Sequence, residues 1–210
     1  MSMEMSSESI FPDQISDEEL NSYVCRSFGG EIVLVDTPDK LMEILPELRR
    51  IRTFGFDTET RPAFRKGQKN KVALLQLSTS TKAFLFRLNT LGLPHGLAEI
   101  LSDKDTIKAG VAIHDDIKFL QSRRNFTPAG FIDLQSVAVE NGIKNLGLKK
   151  LAAIFLGFRI SKKQQVTDWE AETLSEAQLI YAATDAWICH EIYGKIRESG
   201  YVNMEIRESG

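Results

Sequence analysis

The stretch FGFDTET at residues 54–60 places two acids, Asp57 and Glu59, at the C-terminal end of an apolar, strand-forming run. Thr53 to Thr58 reads as a β-strand, and side chains two apart on a strand face the same way, so these carboxylates project together. Like charges held side by side repel unless a cation lies between them. Taken alone, the pair reads more readily as a solvated strand end entering a loop, because an isolated Asp-x-Glu is common.

Working outward, the chain alternates strand-forming and helical periodicities. Strands are predicted over Glu31–Asp36, Val72–Ser78, Ala83–Phe86, Thr106–Val111 and Phe131–Leu134, with Thr79 to Lys82 as a hairpin turn. Ser16-Asp17-Glu18-Glu19 is a capped start to a short helix ending at Tyr23. Leu41, Ile44, Leu45 and Leu48 recur at spacings of three and four and mark the apolar face of another. Further helices are predicted at Leu97–Leu101, Ile113–Arg123, Leu134–Asn141, Leu148–Phe155 and from Ser175 to Arg197. Strands concentrate early and helices late, which predicts an α/β fold: a mixed five- to six-stranded sheet flanked by helices.

Two more acidic clusters follow the first. In GVAIHDD (110–116), Gly110 permits close backbone approach, and Asp115 and Asp116 fall in the first turn of a helix, where the macrodipole favours acids whatever they do. In YAATDA (181–186), Tyr181 and Asp185 stand four apart and share a helix face. Ala182, Ala183 and Ala186 let that helix pack closely, and a carboxylate in so apolar a stretch needs compensation. A Tyr bonded to an Asp in a core helix answers that need, and so does a metal ion shared with other acids. Four carboxylates in this order can hold two hard cations, which is the equipment of phosphodiester cleavage.

With these motifs the sequence resembles the DEDD exonuclease superfamily, and within it the ribonuclease D branch and the exonuclease domain of the Werner syndrome helicase. The resemblance rests on FGFDTET (54–60), KVALLQLS (71–78), KAGVAIHDDIKFL (108–120) and LIYAATDAWICHEIY (179–193), supported by LGLKKLAAIFLG (146–157) and DWEAETLSEAQ (168–178). It implies a ribonuclease H-like fold over about residues 31–197, with 1–30 as a tail with a short helix and 198–210 as a second tail. It implies a 3′-5′ exonuclease using two divalent cations, Mg²⁺ or Mn²⁺, held by Asp57, Glu59, Asp116 and Asp185. The family's spacing from Gly110 selects Asp116 and leaves Asp115 to helix capping or solvent. Tyr181, four before Asp185, marks the tyrosine subclass; the histidine subclass places its residue five before, where Ile180 stands. A tyrosine with a pKa near 10 is a poor base at neutral pH, so orienting the attacking water is the expected role. His190 reads as a surface or packing residue. Arg65, Lys66, Lys69 and Lys71, with Lys149-Lys150 and Lys162-Lys163, are candidate phosphate contacts, and Trp169 and Phe64 candidate base-stacking residues.

Composition bounds the rest. With 42% hydrophobic and 26% charged residues in 210, the chain is an ordinary globular domain rather than a fibrous or disordered one. A net charge of −3 argues against coating long nucleic acid but not against holding one strand end. Two cysteines far apart, Cys25 and Cys189, exclude a disulfide framework. No apolar run approaches the roughly 20 residues of a membrane span, and Met1–Ser9 lacks the apolar core of a signal peptide, so a cytoplasmic protein without membrane association is expected. The rival readings are a nucleic-acid-binding module that does not cut, and a phosphatase acting on small substrates; no Walker-type loop is present. Substrate preference is expected to rest on the 65–71 loop or on an accessory protein. The repeat IRESG at 196–200 and 206–210 has no functional account.

Overall fold

A computed structural model describes residues 10–61, 71–161 and 163–200. Its sheet has six strands: β1 (Glu31–Val35), β2 (Thr53–Thr60), β3 (Val72–Ser78), β4 (Lys82–Arg87), β5 (Ile107–Gly110) and β6 (Phe131–Asp133). Their order is β1-β4-β3-β2-β5-β6. β3 runs antiparallel to both its neighbours, β2 and β4, whereas β1, β5 and β6 join as parallel neighbours. The helices are α1 (Asp17–Ser22), α2 (Pro38–Leu48), α3 (Leu88–Leu91), α4 (His95–Ser102), α5 (His114–Arg123), α6 (Leu134–Glu140), α7 (Leu148–Leu156) and α8 (Glu176–Glu198).

Period-two alternation sorts the strand side chains onto two faces. Phe54, Phe56, Leu75, Leu77, Phe84 and Phe86 pack with residues of α2, α4 and α5. The opposite face carries Leu74, Ala83 and Leu85 and is covered by α8 through Tyr181, Ala182 and Ala183. This second face also holds Gly55, since a Cβ there would meet the backbone of α8. Asp57 and Glu59 therefore point toward α8. Ser175 starts α8 with a capping box, its hydroxyl accepting from the Gln178 amide while Gln178 answers the Ser175 N–H. The same Gln178 side chain donates to Thr167 Oγ1 and the Asp168 carbonyl, which fastens the preceding loop to the helix.

Three features differ from the sequence expectations. β2 continues to Thr60 because β3 pairs with it as far as Val72, so both acids sit within the strand rather than at its frayed end. The described part of the predicted N-terminal tail packs: Phe11 meets the Phe155 ring edge-on at 4.8 Å, and Phe11, Ile15 and Leu20 join the core of α7 and α8. α3, a single short turn, carried no periodicity long enough to announce it.

Lys108 of β5 is fully buried, and its Nζ donates to the carbonyls of Ile100, Asp103 and Thr106 at 3.1, 2.8 and 2.7 Å. These bonds tie the end of α4 to the strand that leads into α5. Lys108→Met keeps the aliphatic stem but strands three carbonyls, each a desolvation cost. The expected loss, read by urea unfolding, is about 2–3 kcal/mol; an unchanged midpoint would show that water replaces the ammonium.

Candidate active site

Close approach of α8 to β2 builds the site. Gly55 offers no side chain, and Ala182, Ala183 and Ala186 of α8 are all but lost from solvent, so helix and strand meet almost backbone to backbone. Two residues beyond Gly55 along β2 lies Asp57, then Glu59. Across from them α8 presents Asp185, buried, with buried Tyr181 one turn before it. Carboxylate oxygens of Asp57, Glu59 and Asp185 lie within 4.8 Å of one another.

Asp116 approaches from the first turn of α5 and stands outside that trio. Its carboxylate accepts a hydrogen bond from Thr58 Oγ1, and Thr58, lying between the two acids of β2, faces the other side of the strand. The turn delivering α5 is tight. Gly110 has Phe56 and Ile113 where a Cβ would be, and Ala112 adopts φ 58°, a left-handed conformation that costs a non-glycine residue energy. Asp133 holds this turn by accepting from the Ala112 N–H at 3.1 Å and from Gln135 N–H at 2.9 Å. Asp115 is exposed beside Lys118.

The electrostatics are those of crowded acids. Burial, followed by the charges of Asp185 and Asp116, pushes the Asp57 carboxyl well above the usual carboxylate range. Glu59 is raised by burial and then by Asp57, Asp185 and Asp116. Asp116 is raised to about 6 by burial, with the Thr58 bond opposing the shift. Burial and the nearby Asp185 and Glu59 also lift the Tyr181 hydroxyl far above the ordinary tyrosine value, which keeps it protonated beside Asp185. Acids gathered so closely match a hard divalent cation, which would replace mutual repulsion by attraction. The donor set fits.

Thus Asp57, Glu59, Asp185 and Tyr181 come together, and Asp116 stands beside them. Trp169 corrects the sequence reading. It is fully buried, 6.0 Å from the Tyr181 ring, and has no face open to a nucleobase. Arg87, which donates to the Ala171 and Glu172 carbonyls, and Gln178 hold the loop that places it inside. Lys71 is exposed at the start of β3, whereas Arg65, Lys66, Lys69, Phe64 and Lys162 lie outside the described residues. Lys150 is engaged by the Ile15 carbonyl and Asp17. His190 is half-buried beside Glu191. Sequence reasoning missed Thr58 and Asp133. The signals were a Thr alternating with acids on a strand, and an Asp at a strand-to-helix junction, the usual place of an N-cap.

Residues 32–200 match the family described as 3′-5′ exonuclease. Among curated relatives, the chain is similar to the Drosophila melanogaster exonuclease 3′-5′ domain-containing protein 2, 36% identical over 160 residues and covering 74% of this chain. It is also similar to the bifunctional 3′-5′ exonuclease/ATP-dependent helicase WRN of Mus musculus, 33% identical over 152 residues and 70% of this chain. The chain spans 27% and 11% of the lengths of those two relatives. Among solved structures, the Aedes aegypti Nibbler EXO domain superposes with a TM-score of 0.75 at 26% identity, covering 83% of this chain and 92% of that one.

Proposed function

The chain belongs to the 3′-5′ exonuclease family, whose chemistry is hydrolytic, and on that premise we propose that it shortens DNA or RNA from the 3′ end and releases nucleoside monophosphates. The observation that carries the proposal is the convergence of Asp57, Glu59 and Asp185 within 4.8 Å beside the Tyr181 hydroxyl. Asp57, Glu59, Asp185 and Asp116 would hold two divalent cations, Mg²⁺ or Mn²⁺. Such ions, when bound, activate water and offset charge on the leaving oxygen. Tyr181, kept protonated by its surroundings, donates a hydrogen bond that orients the attacking water along the line of displacement. Thr58 fixes the Asp116 carboxylate, and Asp133 fixes the turn that brings it.

A net charge of −3 gives little long-range attraction to a polyanion, so an accessory protein that supplies substrate affinity fits this reading. Among the described residues no helix is long and apolar enough to cross a membrane. Both cysteines are free, as in a reducing compartment such as the cytoplasm.

Purified protein with Mg²⁺ or Mn²⁺ should shorten 5′-labelled oligonucleotides stepwise from the 3′ end in at least one of four forms: single- or double-stranded, DNA or RNA. Retarded migration without shortening on all four would favour a binding module instead. Thr58→Val removes the hydroxyl at constant shape. Its expected effect is a rise of about tenfold in the Mn²⁺ concentration required for half-maximal activity, with the circular dichroism spectrum unchanged.

A further inference from the structure

Gln76 of β3 is fully buried, and among the described residues neither its Nε2 nor its Oε1 has a hydrogen-bond partner. A buried amide left without partners is costly in a strand that otherwise reads Val-Ala-Leu-Leu before it and Leu-Ser after it. Leucine or methionine would fill that space without the cost.

Its place in the ladder supplies the reason. Gln76 stands directly opposite Asp57 in the antiparallel pair, and opposite Leu85 on its other flank. Directly opposed residues put their side chains on the same face, with Cβ atoms about 4.5–5.5 Å apart. Gln76 thus shares the α8-facing surface with Asp57, with Glu59 on the diagonal. The neighbouring strand residues on that surface cannot serve it. Leu74 and Leu85 are apolar, and Gly55 has no side chain. Ser78 is committed to the Thr79 and Lys82 carbonyls, and Arg87 to Asn89, Ala171 and Glu172. The covering residues of α8 include Ala182, Ala183 and Ala186. That surface also carries the Tyr181 hydroxyl, Trp169 Nε1 and the site carboxylates, and among these Asp57 is the acceptor directly opposite Gln76.

We infer that Gln76 is a positioning residue of the acid site, its Nε2 donating to the Asp57 carboxylate and fixing that oxygen's direction when a divalent cation is bound. The inference rests on the reading of Asp57, Glu59 and Asp185 as a metal site. Carboxylate ligands are commonly steered by a donor behind them, and loss of such a donor weakens metal binding about 10–100-fold. The same side chain lowers the stability of the metal-free protein, because its amide is buried without a partner there.

Gln76→Met tests this, because it keeps length and volume and removes both polar atoms; Gln76→Leu is the second variant should the first fail to fold. Mn²⁺ affinity is measured by calorimetry, and unfolding in urea with chelator. The expected results are a Mn²⁺ dissociation constant raised about 10–100-fold, an equal or higher urea midpoint without metal, and a lower kcat with an unchanged oligonucleotide KM. An unaltered Mn²⁺ affinity in a folded variant overturns the inference. So does a lowered metal-free midpoint with unaltered affinity, the signature of ordinary packing. Wild-type protein that binds no Mn²⁺ would instead refute the metal-site reading beneath it, and this control is read before any variant.

Discussion

Asp57→Asn is expected to lower the cleavage rate by about a thousandfold or more while raising the melting temperature of the protein in chelator. The first effect follows from removing a central anionic ligand of a site whose cations supply several kcal/mol of transition-state stabilisation, each 1.36 kcal/mol being tenfold in rate. The second follows from the acids themselves. Asp57, Glu59 and Asp116 all carry carboxyl groups raised above their ordinary values, first by burial and then by neighbouring acids: Asp185 and Asp116 for Asp57, Asp57 and Asp185 for Glu59, Asp115 and Asp133 for Asp116. A carboxyl raised in the folded state contributes stability that is fully present below its unfolded value. That contribution is lost as pH rises through the folded value, which for Asp116 is about 6. Metal-free wild-type protein should therefore melt progressively lower between pH 5 and pH 8, and Asn at position 57 should flatten this slope. Saturating Mn²⁺ should restore the melting temperature at pH 8 in the wild type far more than in the variant. A melting temperature in chelator that rose with pH would mean that other groups, not this cluster, set the acid–base response.

How much of this could be read from the chain alone depends on the range of the physics. The strands of the sheet and the long helices were legible because periodicity is local: alternation in FGFDTET and the apolar spacing in 41–48 need no partner. The acids that the fold gathers, Asp57, Glu59 and Asp185, were legible by order and by resemblance, since the offset of Tyr181 from Asp185 is a helix property. The extension of β2 to Thr60 was not, because it depends on pairing with β3. Nor was the burial of Trp169, an aromatic residue flanked by Asp168 and Glu170, which looks solvent-facing until Gln178 and Arg87 are seen holding its loop. The segment around Phe11 read as a tail because its partner, Phe155, lies far along the chain. Thr58 and Asp133 carry only faint local marks, because their partners lie across a strand and a turn, and the place of Gln76 opposite Asp57 depends on the pairing of β2 with β3.

Gly55 joins the fold and the site in one position, and it carries the largest expected effect on stability. A Cβ built on Gly55 would lie 1.8 Å from the Ala186 carbonyl oxygen and 2.6 Å from the His190 backbone nitrogen. Both atoms belong to the backbone of α8, a helix that cannot yield at one carbonyl without shifting as a body. The obstruction is therefore unlike a clash with a flexible side-chain tip, and Gly55→Ala should cost about 4 kcal/mol, the upper end of what a single overpacking change produces. Gly29→Ala is the matched control, because nothing lies within 4 Å of its added methyl; a change within about 0.5 kcal/mol is expected. The more telling consequence concerns the metal. Any Gly55→Ala protein that folds must have moved α8 off β2, which carries Asp185 and Tyr181 away from Asp57 and Glu59. Its Mn²⁺ affinity should then fall together with its stability, although the substituted residue bears no ligand atom. A Gly55→Ala protein with wild-type melting temperature and wild-type Mn²⁺ affinity would show that the helix and strand do not meet as closely as the site requires.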